Sequence, residues 1–464
     1  MMAISGNIDQ LNVIGNITRA EIKGSISHSG FLIINITDFG ASPGETPENN
    51  FSAIQSALSS EYLGIAFGNT GETYLISQPI YIPSNKKIII NCTLKIKDGS
   101  TALVTSNVNA GSNNFNVDHP EYFKVGEWIG ITDDVQFEGY GTLRGSTGQI
   151  TDITGNTITF DSVCSYNYLT SENAKVGHTQ SVIILEDVNN VLITGNGIIN
   201  GNRYLQEQIH PVRNIAVIED QRAGCGIVVY KCENITLESV TIRDSLLHNI
   251  SINVNNGTEN YDNTNIKIKG IKTYNGHDKN ILIRNIDGCS IEDIITDGAT
   301  WEDGLIFYAY CKNITVDGAV LTNNGRAGLY WNSQSCDGLE ANNVSTSGNL
   351  YGLEITAKNV EINTINCEDI ILLSNIYNNS QLITINNLTL SGVVGTNVLR
   401  LAGNVRDVIF NELIITGCNG TGIKCDSLLG NPAEPPERIV IEGGGIYDHT
   451  GNKANIEEGT DITF

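Results

Sequence analysis

Short alternations of apolar and polar residues, broken by asparagine and glycine, run through most of the chain. Asn234-Ile-Thr-Leu, Asn265-Ile-Lys-Ile, Ser290-Ile-Glu-Asp-Ile, Asn313-Ile-Thr-Val, Gly338-Leu-Glu-Ala, Asn359-Val-Glu-Ile, Thr384-Ile-Asn-Asn-Leu, Asp407-Val-Ile-Phe and Arg438-Ile-Val-Ile succeed one another at steps of 21 to 31 residues. A second series is interleaved with the first: Gly226-Ile-Val-Val-Tyr, Asn249-Ile-Ser-Ile-Asn, Asn280-Ile-Leu-Ile, Gly304-Leu-Ile-Phe-Tyr, Gly328-Leu-Tyr-Trp-Asn and Gly352-Leu-Glu-Ile-Thr. From Ile281 through Leu305 and Leu329 to Leu353 the step is 24 residues each time. Strands this short cannot bury a face alone, so they must stack on their own copies. The pattern predicts an all-β solenoid, a parallel β-helix whose successive coils pair about 4.8 Å apart. Asparagine at a corner tolerates left-handed dihedrals, and its amide can bond the asparagine of the next coil.

Two stretches depart from the repeat. Residues 36–58 read as a strand, a Gly/Pro loop and a short helix with Phe51, Ile54 and Leu58 at helical spacing, suited to cover the open end of the stack. Residues 101–165 lose the coil period and read as a small β insertion of hairpins, Phe123–Asp134 and Gly148–Phe160 among them. The expected organisation is therefore an attachment or oligomerisation segment at 1–35, cap and first coils at 36–100, the insertion at 101–165 and the main helix at 166–464.

Composition narrows the function. Lys plus Arg 27 against Asp plus Glu 51 leaves a net charge of -24, which repels phosphate backbones and anionic headgroups. No nucleic-acid partner is expected. Nor is membrane insertion, since no run of 18 apolar residues occurs and the N-terminus lacks a basic segment followed by an apolar one. Ten cysteines show neither a CxxC pair nor zinc spacing. Cys232, Cys289, Cys311, Cys336 and Cys367 fall near one turn and are expected to stack there as small buried side chains.

Stacking also says which side chains share a flank. With Ile227, Ile250, Ile281, Leu305, Leu329 and Leu353 aligned as inward residues, Tyr230, Asn253, Arg284, Tyr308, Asn332 and Thr356 stand three places later and face outward. On the turns entering these strands are His248, His277, Asp278, Trp301, Glu302, Asp303 and Arg326; Tyr330 and Trp331 follow on the strand. Carboxylates, imidazoles, arginines and rings gathered over four coils suit a glycan groove, in which rings stack on sugar faces and paired carboxylates divide into acid and base.

Particular phrases carry a family resemblance. Asp38-Phe-Gly-Ala with the later Ala53-Ile-Gln-Ser-Ala-Leu, and Thr194-Gly-Asn-Gly-Ile-Ile-Asn-Gly-Asn202, resemble signatures of the pectate-lyase/polygalacturonase-like superfamily of right-handed parallel β-helices, which includes phage tailspike depolymerases. Asn275-Gly-His-Asp278, Trp301-Glu-Asp303-Gly and Asn324-Gly-Arg326-Ala-Gly328 resemble the "NTD", "DD" and "GHG" phrases of its polygalacturonase-type hydrolases. The resemblance implies that Asp278, Glu302 and Asp303 supply acid and base, beside His277. Here His277 intrudes in the first phrase, Glu302 replaces an aspartate, and Arg326 stands where the family has histidine. His248, Arg284, Trp301, Tyr308, Arg326, Tyr330, Asn332, Asn253 and Tyr230 would line the substrate.

Three activities are compatible with these residues. The first is a tailspike-type glycoside hydrolase, inverting if the two carboxyls stand about 6.5–9.5 Å apart. The second is a lyase or C5-epimerase on uronates, with Arg284 or Arg326 on the substrate carboxylate and His277, His248 or Tyr308 taking the C5 proton. The third is a non-catalytic glycan-binding β-helix. No cofactor or metal is expected, although Ca²⁺ would be one way to bring a polyanion into an acidic groove. The tailspike resemblance implies a polysaccharide partner, a homotrimer, and a place on a virion tail or outside the cell.

Overall fold

The computed structural model describes residues 2–5, 20–23, 33–137, 142–206, 222–252, 262–332, 335–356, 358–375, 382–403, 405–427, 436–447, 449–450, 452–456 and 462–463. The chain winds as a parallel β-helix. One coil runs through Ile281–Ile283, Ile286–Glu292 and Ile295–Asp297, and the next through Leu305–Tyr308, Cys311–Asp317 and Val320–Thr322. The first strand of each coil joins a twelve-stranded parallel sheet extending from Ile80–Tyr81 to Ala454–Ile456. The other two strands build two further faces. In the coils of Lys358–Cys367, Ile383–Ser391 and Arg406–Thr416 a single longer strand crosses both faces, the first of them pairing with Asp337–Asn342 and with Val344–Ser347.

Register follows the repeat phrases. Ile227, Ile250, Ile281, Leu305, Leu329 and Leu353 are consecutive partners in the twelve-stranded sheet, each fully buried. Burying each such side chain is worth about 1.5–3 kcal/mol, and the column repeats that gain on every coil. Asn190, Asn234, Asn265, Asn313 and Asn359 all adopt left-handed backbone. The Asn234 amide donates to Asn190 at 3.2 Å and that of Asn265 to Asn234 at 2.5 Å, an asparagine ladder along the corner. Gly195, with φ of 121°, is pressed against the neighbouring coil so closely that a Cβ would lie 2.1 Å from the Ile90 carbonyl oxygen. Only glycine fits there.

The expected cysteine stack is divided. Cys289 lies within a strand, between Ile266 and Ile314, while Cys311 stands in register with Ile286 at the strand start and Cys367 with Thr346 at a strand end. Spacing alone does not separate columns only three residues apart. All ten thiols are buried and unoxidised.

The helix Pro47–Leu58 covers the N-terminal end, its start capped by Thr46, whose hydroxyl accepts from the Asn49 N–H at 3.2 Å. Ile54 and Leu58 are buried, and Phe51 packs at the edge of the same core. The insertion is a six-stranded antiparallel sheet that closes with Lys175–His178 against Trp128–Phe137 and Thr101–Leu103. It therefore runs past residue 165, because its last strand lies among polar residues that carry no hairpin signal. The segment expected at 1–35 lies mostly outside the described residues. Among the described residues no helix is long and apolar enough to cross a membrane.

A buried charge cluster fastens the insertion to the coils. His178 accepts the Ser100 N–H on Nδ1 at 2.9 Å, so its Nε2–H faces Glu127 at 2.9 Å. Glu127 also meets Lys97 Nζ at 2.6 Å and accepts the Lys124 N–H at 2.8 Å. Burial alone would raise the Glu127 carboxyl, but His178 and Lys97 outweigh it and hold the group below the usual range. Glu127→Ala is expected to destabilise the chain by about 3 kcal/mol, because His178 Nε2 and the Lys124 N–H lose their buried acceptor and Lys97 is left to the more distant Glu48 at 3.5 Å. Thermal unfolding would measure it, and a wild-type midpoint would show that the cluster does not hold the insertion.

Candidate functional site

The site stands on three successive turns that lead into the twelve-stranded sheet. Their corner residues Asn275, Gly298 and Asn323 share left-handed backbone. Beneath them runs a second, interior ladder: the Asn249 amide donates to Asn280 at 2.6 Å, Asn280 to Asn324 at 3.0 Å, Asn324 to Asn349 at 2.9 Å and Asn349 to Asp369 at 2.7 Å. The acceptor oxygens of the asparagines also cap turn N–H groups, Asn280 that of Gly276, Asn324 that of Ala299 and Asn349 that of Asn324. The turns are thereby held in one conformation and stack directly, with Glu302 N bonding the Asp278 carbonyl at 3.0 Å and Arg326 N the Glu302 carbonyl at 2.9 Å.

This geometry brings Asp278, Glu302, Asp303 and Arg326 onto one flank. Asp278 Oδ2 lies 2.6 Å from Lys279 Nζ and 3.8 Å from His248 Nδ1. Burial would raise the Asp278 carboxyl, yet Lys279 and the imidazoles prevail and lower it. Asp303 has the opposite environment. Its side chain is fully covered, Oδ1 accepts the Ala327 N–H at 3.1 Å and faces Arg326 NH1 at 3.5 Å, and Oδ2 has no hydrogen-bond partner. Burial drives its carboxyl up against the pull of Arg326 and Lys279, with repulsion from Glu302 and Glu354 added, to about 7. Two acids one coil apart thus favour opposite protonation states at neutral pH.

Two members of the cluster escaped the sequence reading. Lys279, flanked by Asp278 and the Asn280 ladder, feels the charges of Asp278, Glu302 and Asp303, which together overcome its burial and raise its affinity for a proton. Glu354 grips Arg326 NH2 with both oxygens at 2.8 Å. It was findable, because it is the outward residue after Leu353, in register with Tyr330. The alignment followed only the position three places on.

Several expected site residues are corrected. His248, expected against the substrate, and His277, expected with the catalytic acids, are covered, at 1% and 5% exposure, because their turns tuck the rings behind the surface. Burial drives the His248 imidazole down to about 3, so it is neutral. Tyr330 is also buried, lying under the Arg326 guanidinium at 4.1 Å, and burial pushes its phenol up to about 12. Trp331 points into the core, 4.9 Å from Phe307. Tyr230 is half-buried and carries Arg222 over its ring at 5.3 Å. Asn253 lies outside the described residues. On the exposed side remain Trp301 and Tyr308, with Arg284 over Tyr308 at 4.4 Å, and Asn332 accepting from Thr356 at 3.1 Å. Glu302 and Asp278 keep part of their side chains in solvent, 21% and 15%. Asp303 stands behind them.

Among solved structures, the family 28 exopolygalacturonase of Yersinia enterocolitica is 12% identical, with a TM-score of 0.55 over 93% of this chain and 78% of that one. The chain has the right-handed parallel β-helix fold of the pectate-lyase-like proteins. The pre-mature gene product 12 of bacteriophage phi29 is 13% identical with a TM-score of 0.56, over 93% of this chain. This chain spans about half of that protein, 52% of its length. A mutant tailspike protein of the E. coli bacteriophage HK620, solved with a pentasaccharide, is 9% identical with a TM-score of 0.53, covering 93% of this chain and 67% of that one. The insertion has a separate likeness: residues 100–180 match the Rider domain of K1 capsule-specific polysaccharide lyase. No curated protein matches the chain by sequence.

Proposed function

We propose that this chain is a polysaccharide depolymerase that hydrolyses a glycosidic bond in a bacterial surface glycan, as a homotrimeric tailspike-type protein on a virion tail or otherwise outside the cell. The observation that carries the reading is the divided pair of acids on adjacent turns. Asp278, held ionised by Lys279 at 2.6 Å, takes a proton from water as its oxygen bonds the anomeric carbon. Asp303 holds a proton near neutral pH and gives it to the leaving oxygen as the C–O bond breaks. Glu302, on the solvent side of it, adds a like charge that helps Asp303 keep that proton until then. Arg326, fixed by Glu354, limits the field that the two carboxyls exert on each other. Trp301 and Tyr308 offer ring faces to the sugars.

The second reading, a uronate lyase or epimerase, is favoured by Arg284. It has no carboxylate partner among the described residues and lies on Tyr308, where it could take a substrate carboxylate. Against this, Arg326 is already engaged by Asp303 and Glu354, and His248 is covered and weakly basic. Incubation with a panel of purified capsular and O-polysaccharides distinguishes them. New reducing ends with one water added per cut are expected. An ultraviolet-absorbing unsaturated uronate would replace hydrolysis with elimination, and binding without any product would leave only glycan recognition. The active preparation is expected to sediment as a trimer.

A further inference from the structure

Beyond the acid cluster the same edge of the helix opens into a cavity of about 540 Å³, lined by residues of the turns at 348–350, 368–370 and 391–394. Two observations tie it to the cluster. The backbone ladder continues from Arg326 to Tyr351, whose N–H bonds the Arg326 carbonyl at 2.9 Å, so Leu350 stands one coil past Arg326. The interior asparagine ladder continues as well, through Asn349 to Asp369, and ties these turns to those bearing Asp278 and Glu302. At a coil spacing of about 4.8 Å the cavity begins about 10 Å from Glu302, along a line that an extended glycan would follow.

Its lining is unlike that of the cluster. Leu350 is 54% exposed and Val394 79%, with Ile370 and Val393 between them. Aliphatic side chains this open, on turns two coils apart with Ile370 between them, leave apolar area in water unless something covers it. The polar wall is acidic: Glu368 is exposed, and Asp369 is committed to Asn349, accepting from its N–H at 3.0 Å and its amide at 2.7 Å. Among the described residues no cation lines the cavity. A sugar carboxylate would be repelled here, whereas a methyl or acetyl group would cover the valine and leucine while ring hydroxyls donate to Glu368.

We propose that this cavity is a distal glycan subsite that binds an uncharged sugar bearing an apolar substituent, a 6-deoxyhexose or an acetylated hexosamine. The proposal rests on the depolymerase reading of the neighbouring turns, because that reading makes a glycan the molecule lying along this edge.

The test uses the full chain, wild type and the surface variants Val394→Asp and Leu350→Asp. Saturation-transfer NMR with the methyl glycosides of a 6-deoxyhexose and of N-acetylhexosamine should show transfer to the methyl and acetyl protons in wild type, strongly reduced in both variants, and none to methyl glucuronide. On a polysaccharide that wild type cleaves, each variant should raise KM about tenfold. If wild type cleaves the glycan and both variants match it in KM, the subsite is refuted and the catalytic reading survives. If transfer is lost in the variants but wild type cleaves nothing, the subsite holds and the hydrolase reading falls. If the variants change only the sedimentation coefficient, with transfer intact, the patch is a subunit contact and the proposal is overturned.

Discussion

Asp303→Asn is expected to cut turnover by about 10²-fold or more without unfolding the chain, and Asp278→Asn to do the same from the other side of the reaction. Asparagine preserves the shape of Asp303 and can still accept the Ala327 N–H, while Arg326 keeps both of its bonds to Glu354. What disappears is the proton that Asp303 retains. For wild type the activity should follow a bell. Its acid limb lies below the ordinary carboxylate range, where Asp278 becomes protonated, and its alkaline limb lies near 7, where Asp303 loses its proton. Stability carries a second signature. A carboxyl raised from 3.8 to about 7 favours the folded state fully below 3.8 and loses that contribution as pH rises through 7. Asp278, shifted the other way, stabilises above 3.8 and ceases to do so as pH falls through its lowered value. Asp303→Asn should therefore flatten the decline in stability between about pH 4 and 7. Full activity in both variants would place the site elsewhere, and an unchanged stability profile would show that Asp303 is not the proton-retaining group.

Asn280→Ala should be the most destabilising single change near the site, by about 4 kcal/mol or more. Asn280 is fully buried and uses every polar atom of its amide. It accepts from Gly276 N and the Asn249 amide, and donates to the Asp297 carbonyl and to Asn324. Truncation removes four buried hydrogen bonds at once and strands the Gly276 N–H at about 1–3 kcal/mol, while the Asn249 amide keeps the Tyr274 carbonyl, the Asp297 carbonyl keeps the Asn275 N–H and Asn324 keeps the Ala299 N–H. It also frees the turn bearing Asp278 and Lys279, so activity should fall even at temperatures where the variant stays folded. Denaturant unfolding together with turnover at low temperature measures both effects. A variant with wild-type stability would mean that the ladder does not set the turn geometry.

The two asparagine ladders differ in how far they could be read in advance. Those of the Asn-Ile-Thr phrases announce themselves, because each precedes an alternating strand, and left-handed corners favour asparagine wherever they occur. The interior ladder begins in view: Asn249 and Asn280 each stand just before a strand phrase. It then passes to Asn324 and Asn349, which occupy different places in their turns. The insertion shows the same limit. Its hairpins were visible, but its final strand is recognisable only by its partners Trp128–Phe137 and Thr101–Leu103.

For the site, the repeat placed the right turns on one flank, since a solenoid converts a step of about two dozen residues into a step of one coil. It could not separate exposed from covered groups. Outward-facing is not the same as solvent-exposed. Tyr330, Glu354 and Asp303 all leave the core side of the strand or turn, and Arg326 seals each of them, Tyr330 within its own coil and the two acids from an adjacent one.

Periodicity and residue type, being local and additive along the chain, were enough to dictate coil, register, cap and the grouping of acids. Whether a given acid keeps its proton depends on burial and on the charges beside it: Asp278 meets Lys279, its neighbour in sequence, at 2.6 Å, whereas Asp303 is covered and meets Arg326 of the next coil at 3.5 Å. That division between Asp278 and Asp303 was settled only when the coils closed on one another.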